Sequence, residues 1–134
     1  MTVETIGRTG AISIGAWPSG VTEGGTYGAS FTLTNQSTYA DGTAAPYKFV
    51  VAVHITVTGG YVAYSNSFTM DVTAGGTKSQ PITFTIPSGA SGIGTVTAIL
   101  FRTDGVTQIG AQFVENFPVA AKVKEITPKG TITW

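Results

Sequence analysis

Phe49-Val-Val-Ala-Val-His-Ile-Thr-Val57 is the longest apolar run in the chain, and its β-branched residues predict a strand rather than a helix. Alternation along an extended strand sends Phe49, Val51, Val53, Ile55 and Val57 to one side, and Val50, Ala52, His54 and Thr56 to the other. Both sets are largely apolar or small, so this strand is expected at the centre of the fold, with a sheet covering one face and a partner, loop or arm the other.

The other segments repeat the period of two. Tyr27, Ala29, Phe31 and Leu33 share one face of Tyr27–Asn35, opposite Gly28, Ser30, Thr32 and Thr34. A polar stretch, 36–46, then leads to the central strand and is long enough to cross between sheets and to display side chains. Gly59-Gly60 predicts a tight hairpin into Tyr61–Phe68, and Phe68, Met70 and Val72 continue the alternation up to Ala74-Gly-Gly76. Thr77–Ile86 puts Ile82, Phe84 and Ile86 on one side. Pro81 lacks an amide donor and assigns that strand to an edge. Gly94–Arg102 is a strand carrying Val96, Ala98 and Leu100, and Thr103-Asp-Gly105 is expected to turn it into a hairpin partner, Val106–Val114, with Ile109, Ala111 and Phe113 inward. At the N-terminus, Thr2–Ile6 and Ala11–Trp17 read as one or two edge strands, closed by the turn signal Pro18-Ser-Gly20. Turn signals roughly every ten residues are the mark of an antiparallel sandwich or barrel.

One domain fits 134 residues. The compact part is expected to span 1–118, with 1–20 as N-terminal edge strands. Segment 119–134 carries three of the seven basic residues and two further alternating sets, Val119/Ala121/Val123 and Ile132/Trp134. It reads either as a last edge strand with a frayed tail or as an arm that adds a strand to a neighbouring subunit or inserts Trp134 into it.

Composition narrows the function classes. There is no cysteine, which removes thiol catalysis, thiolate metal sites and disulfides. Formal net charge is zero and charged residues make up 10% of the chain, against about 25% in ordinary soluble domains. A neutral surface of Thr, Ser, Gly and Asn suits a chain that assembles with neighbours, and it equally suits a solvated Thr-rich sheet. No basic field marks a nucleic-acid partner. No apolar run approaches the roughly 20 residues that span a bilayer, so no membrane partner is expected either. The start, Met-Thr-Val-Glu-Thr-Ile-Gly-Arg, shows no secretory h-region, which implies use without Sec export or a trimmed piece of something larger.

Candidate chemistry is sparse. His54 is the single histidine; inside the apolar run it reads as a satisfied core or inter-sheet residue, because a lone imidazole has no partners for catalysis or metal binding. Asp41-Gly42 and Asp104-Gly105 are turn chemistry before they are calcium fragments. Ser91 does not complete a Gly-x-Ser-x-Gly elbow, and Gly92-Ile-Gly94 lacks the third glycine of a dinucleotide site. Asn35-Gln36-Ser37 matches a glycosylation sequon without an export signal beside it, and no pattern supports an isopeptide through Lys48. The expectation is a non-enzymatic protein with no catalytic residue, cofactor or metal. Its partner-binding candidates are the aromatics Trp17, Tyr39, Tyr47, Phe117 and Trp134, since aromatics dominate interface energetics. Trp17, beside its turn, also reads as a lid on the core.

Three stretches, Phe31-Thr-Leu-Thr-Asn35, Val72-x-Ala-Gly-Gly-Thr77 leading to Ile82-Thr-Phe-Thr-Ile-Pro87, and Gly94-Thr-Val-Thr-Ala98, resemble the immunoglobulin-like bacterial domains of the cell-adhesion-related (CARDB-like) type. The resemblance covers Gly25 to Gly110 and implies an antiparallel immunoglobulin-like β-sandwich of seven to nine strands. It carries over no site residue. The loop before Tyr47 is longer than that family's, and its secretion context is missing. In composition and layout the chain also resembles the virion proteins of tailed bacteriophages, which are Thr/Gly-rich, cysteine-free and made without signal peptides. That resemblance implies a structural protein of the virion, a capsid decoration (cement) protein whose partner is the major capsid or another virion protein, with homo-oligomers among its possible forms. The alternative is an adhesion or carbohydrate-binding module at a bacterial surface, displaying a site on loops 36–46 and 89–92.

Overall fold

The computed structural model describes residues 6–122, and its elements are all strands: β1 (Gly10–Ala16), β2 (Thr26–Asn35), β3 (Tyr47–Val57), β4 (Tyr61–Val72), β5 (Thr77–Thr85), β6 (Gly92–Phe101) and β7 (Phe113–Val119). They form two antiparallel sheets, one in the order β1-β2-β5 and the other β4-β3-β6-β7. This is an immunoglobulin-like sandwich of seven strands, the low end of the expected range.

The core follows from the pleat. Phe49, Val51, Val53, Ile55 and Val57 are all buried and sit across from Met70 on β4 and from Leu100, Ala98 and Val96 on β6. The three-stranded sheet closes over them with Ala29, Phe31 and Leu33 from β2 and Ile82 and Phe84 from β5. Burial of a large aliphatic or aromatic side chain contributes about 1.5–3 kcal/mol, so this layer dominates the stability. Gly59 (φ 95°) and Gly60 (φ 83°) take left-handed conformations in the three-residue turn 58–60 between the paired Val57 and Tyr61, and they join β3 to β4 as anticipated.

Among the described residues the opposite row of β3 is covered by a loop, and only in part. Val50 and Ala52 are half-buried, whereas His54 and Thr56 are exposed on the outer surface of the four-stranded sheet. His54 is therefore not a core or inter-sheet residue. Its Nδ1 lies 2.9 Å from Ser65 Oγ on β4, a contact across an open sheet face. Among the described residues loop 102–112 leans over this face, with Gly105 near Val50.

That loop is the second correction. Val106–Val114 is not a hairpin strand; β7 begins at Phe113 and the preceding residues are turns with one bridge, Phe101 to Gln108. Asp104 organises the turn by accepting bonds from Val106 N–H (2.8 Å), Thr107 N–H (2.9 Å) and Thr107 Oγ1 (2.7 Å), which replace ladder bonds. Ile109 is buried, but Ala111 is exposed and Phe113 only half-buried. At the other end β7 runs on through buried Val119 to an Ala120–Thr22 bridge, past the expected limit of the compact part at 118. Of the N-terminal pair, Ala11–Trp17 matches β1, while the strand expected over Thr2–Ile6 lies almost wholly outside the described residues.

Asn35 is the buried polar residue that periodicity alone does not reveal. At 2% exposure, its amide nitrogen reaches the carbonyls of Ala45 (2.8 Å), Thr73 (3.1 Å) and Val72 (3.2 Å), and its Oδ1 accepts the Ser37 N–H at 2.9 Å. Ser37, equally buried, holds Thr9 through a pair of bonds to its backbone. Among the described residues no buried side-chain nitrogen or oxygen lacks a partner.

Two outcomes are expected in equilibrium unfolding. Val53→Asp, which places an unpaired charge at a position 1% exposed, abolishes the cooperative transition, whereas His54→Val, on the open face, leaves the midpoint nearly unchanged. Asn35→Ala leaves the buried Ala45 carbonyl and the Ser37 N–H without their partner, while the Thr73 carbonyl keeps the Gly76 N–H, and it lowers stability by about 1–3 kcal/mol per group left without a partner. A wild-type urea midpoint in Asn35→Ala would remove Asn35 from its structural role.

Candidate functional site

The five aromatic candidates do not form one patch. Trp17 follows β1 and reaches between the sheets, its ring stacked on Phe84 at 5.2 Å and meeting Phe117 edge-on at 4.9 Å. It is half-buried and closes the flank where β1 and β7 stand apart without pairing, so the lid reading of Trp17 describes its position. Phe117 is 8% exposed and lies across Gly94 of β6; it belongs to the core and is unavailable as an interface anchor. Tyr47 sits near the opposite end of the sandwich, since Phe117 pairs through Gly94 to Val57, the far end of β3. Its ring packs edge-on against Phe49 at 4.9 Å, and its hydroxyl accepts the Thr103 N–H at 3.1 Å. Tyr39 is half-buried within loop 36–46, with its N–H bonded to Thr43 O at 2.8 Å. Trp134, and with it the arm of 123–134, lies outside the described residues.

Three concave or open surfaces stand out among the described residues. The first is a groove of about 430 Å³ on the β1–β7 flank, lined by Ile14, Trp17, Val96, Phe113 and Glu115 among others. Glu115 shares the inward parity of Phe113 and Phe117, so a carboxylate stands at the mouth of an otherwise apolar slot. The second is a depression of about 370 Å³ on the outer face, lined by Val50, Ala52, His54, Ser65, Ser67 and Phe101. It is polar on the β4 side and apolar on the β6 side. The third is a set of exposed apolar side chains flanking that outer face: Val62 (59%), Ile93 (59%), Val114 (49%) and, on loop 102–112, Val106 (79%). Periodicity marks Ile93, Val106 and Val114 as outward positions, whereas Val62 has the parity of Phe68 and Met70 and is turned outward by the irregularity at Ala63.

The two carboxyls held below their ordinary value both lie in turns. The hydrogen bonds from Thr107 and Val106 hold the Asp104 carboxyl down at about 2, and bonds from Thr43 lower Asp41. Each carboxylate thus caps its own loop, as Asp-Gly turn chemistry predicts. No group of three or more His, Cys, Asp or Glu comes together among the described residues to hold a metal.

No protein-family model matches the sequence, and no curated protein matches it. Solved structures share the fold. A CARDB domain from Pyrococcus furiosus, solved in complex with di-metal ions, superposes with a TM-score of 0.60 at 16% identity, covering 91% of this chain and 100% of that one. The C-terminal domain of wzt gives 0.59 at 11% identity, over 98% of this chain and 88% of that one. A family 123 glycoside hydrolase from Clostridium perfringens gives 0.56 at 14% identity over 86% of this chain, which spans only 28% of the hydrolase. At these identities the likeness is one of fold. It bears out the immunoglobulin-like, CARDB-like architecture.

The depressed carboxyl gives a pH expectation. Asp104 has its folded value below the ordinary 3.8, so its loop bonds are intact at neutral pH and are lost as pH falls toward about 2. The amide shifts of Val106 and Thr107 in NMR spectra should titrate near pH 2, and Thr107→Val should raise that midpoint. A midpoint near 4 in the wild type would show that the turn does not hold the carboxylate.

Proposed function

We propose that the protein is a non-catalytic interaction module that binds a repetitive protein surface, acting as a structural virion protein of the capsid decoration type. The observation that carries this reading is the outer face of the β4-β3-β6-β7 sheet: a broad surface rich in Thr and Ser side chains, where Lys48 and Asp71 stand opposite each other at one end and Val62, Ile93, Val106 and Val114 are exposed around it. Such a face has the makeup of an interface, apolar at points and poor in charge. Zero net charge removes long-range repulsion between copies packed side by side on a lattice. The partner on this reading is the major capsid or another virion protein, and the protein is located on the particle.

A second reading, a carbohydrate-binding or adhesion module at a bacterial surface, draws on the β1–β7 groove, where Trp17 and Phe113 line a slot with the Glu115 carboxylate. The ring of Trp17 is engaged on one face by Phe84 and at its edge by Phe117, which leaves it little free surface for stacking a sugar.

Electron microscopy of the purified protein mixed with its parent particle tests the first reading. Ordered density at regular surface positions is the expected result, and its loss is expected when Val62 and Val114 are both replaced by Asp. A folded protein that decorates nothing but selects a sugar on a glycan array would overturn it in favour of the second reading.

A further inference from the structure

The two sheets have four outer edges, and three of them carry devices that discourage pairing. Backbone N–H and C=O groups alternate sides along a strand, so the ladder bonds show which residues face outward. Asn35 N–H donates to Gly76 O, which makes the odd residues of β5 its free side. Pro81 stands there without a donor, and its carbonyl is taken by the Gln80 side chain at 2.9 Å; Lys78 lies on the same strand. Ile109 N–H donates to Leu100 O and Ala120 N–H to Val21 O, so the even residues of β7 face outward. Pro118 is among them, and Glu115 adds an inward-parity charge. β1 is seven residues long and is broken by an irregularity between Ile14 and Ala16. Proline, lysine, inward charge, brevity and bulges are how natural sheets blunt an edge.

β4 has almost none of these. It runs for twelve residues without Pro, Gly or Lys, and Asp71 is its one charge. Thr58 N–H donates to Ile93 O, so the even residues of β3 face β6 and the odd ones face β4. Their β4 partners are the even residues, and Ser65, Ser67, Thr69 and Asp71 turn both backbone groups to the free side. Among the described residues β4 pairs with β3 alone, and of these donors the Ser67 N–H is held by its neighbour, Asn66 Oδ1, at 2.9 Å. The one irregularity, at Ala63, precedes this stretch.

We propose that β4 pairs antiparallel with β4 of a second copy, fusing two four-stranded sheets into one of eight strands about a two-fold axis at Phe68. This register follows from the geometry. It is the pairing that uses all four outward residues on both copies, setting Ser65 opposite Asp71 and Ser67 opposite Thr69 of the other copy. Four such pairs, each exchanging two bonds, give about eight backbone hydrogen bonds. Phe68, half-buried at the rim of the core, then faces its own symmetry mate on the inner side and completes its burial. Charge is compatible with the pairing: the two Asp71 carboxylates lie about 20 Å apart, beyond the screening length at physiological salt. The outward side chains of Ser65, Ser67 and Thr69 are small enough not to obstruct it. The contact is isologous and closes on itself, and the new outer edges are both β7, already blunted by Pro118.

Sedimentation velocity on the full chain over a concentration series tests this without any partner particle, so it is independent of the proposed virion role. The expected species has twice the chain mass. Thr69→Pro, whose missing N–H is one that β3 does not use, should give a monomer with the wild-type far-UV spectrum, and Thr69→Lys provides the same loss of dimer if the proline variant does not fold. Because the chain has no cysteine, Phe68→Cys is a single thiol at the axis. With Cα atoms about 4.5 Å apart it should oxidise to a linked dimer. Asn66→Cys, opposite Met70 of the second copy, should not. A wild-type chain that is monomeric throughout the series, or a dimer that both Thr69 variants leave intact, would overturn the proposal.

Discussion

The architecture hangs on one buried amide. Two of the three places where the chain crosses between sheets, the loop from β2 to β3 and the turn from β4 to β5, meet at Asn35, whose side chain bonds Ala45 on the first and Val72 and Thr73 on the second. Ser37 extends the same cluster to Thr9, just before β1. Hydrophobic burial is non-directional and would allow the sheets to slide over each other. A fully satisfied polar cluster in a low-dielectric interior admits one arrangement, and it thereby sets which rows of β2 and β3 face each other. The sequon reading of Asn35-Gln36-Ser37 fails for the same reason, since an amide at 2% exposure that holds three carbonyls has no room for a glycan.

The opposite flank shows how apolar surface is closed without backbone pairing. The four-stranded sheet is one strand wider than its partner, and β7 overhangs with Phe113 and Phe117 facing inward. Trp17 fills part of that overhang by packing on Phe84 from one sheet and Phe117 from the other. The remaining groove is bounded by the carboxylate of Glu115, which costs little while it stays in water and discourages a foreign strand from entering. An aromatic residue is thus an interface anchor only when the sheets have not already used it, and here they have used two of the candidates.

Strands and their inward faces were legible because alternation is a local signal: the odd positions of β3, and Phe31 and Leu33 on β2, are buried as their period requires. What covers the outward row of β3 is not legible, because Val50 and Ala52 look alike whether another layer or only a short loop lies above them. His54 reads as a core residue for the same reason, since its neighbours in sequence point the other way. Residues 106–112 were misread as a strand because Ile109, Ala111 and Phe113 alternate, while the bonds from Thr107 to Asp104 that curl the segment leave no periodic trace. Asn35 closes a strand in sequence and gives no hint that three carbonyls from distant segments converge on it. Phe117 and Trp17 could be read as aromatics but not placed, since the width of one sheet relative to the other is set by pairing.

Hydrogen-bond direction, more than side-chain chemistry, determines what this protein can offer a partner. Loops capped by their own aspartates are already satisfied, the inward rows are consumed by the core, and two edges are blocked by prolines whose missing donors point outward. Among the described residues the outer face of the four-stranded sheet and the β4 edge are left uncommitted, and they adjoin along Ser65, Ser67 and Thr69. A neutral face and an open edge that meet in this way make a single surface, which pairing along β4 would double in breadth without adding charge. A broad neutral platform gains affinity by repetition instead of by any one deep pocket, which is how a chain with so little ionisable chemistry can still bind.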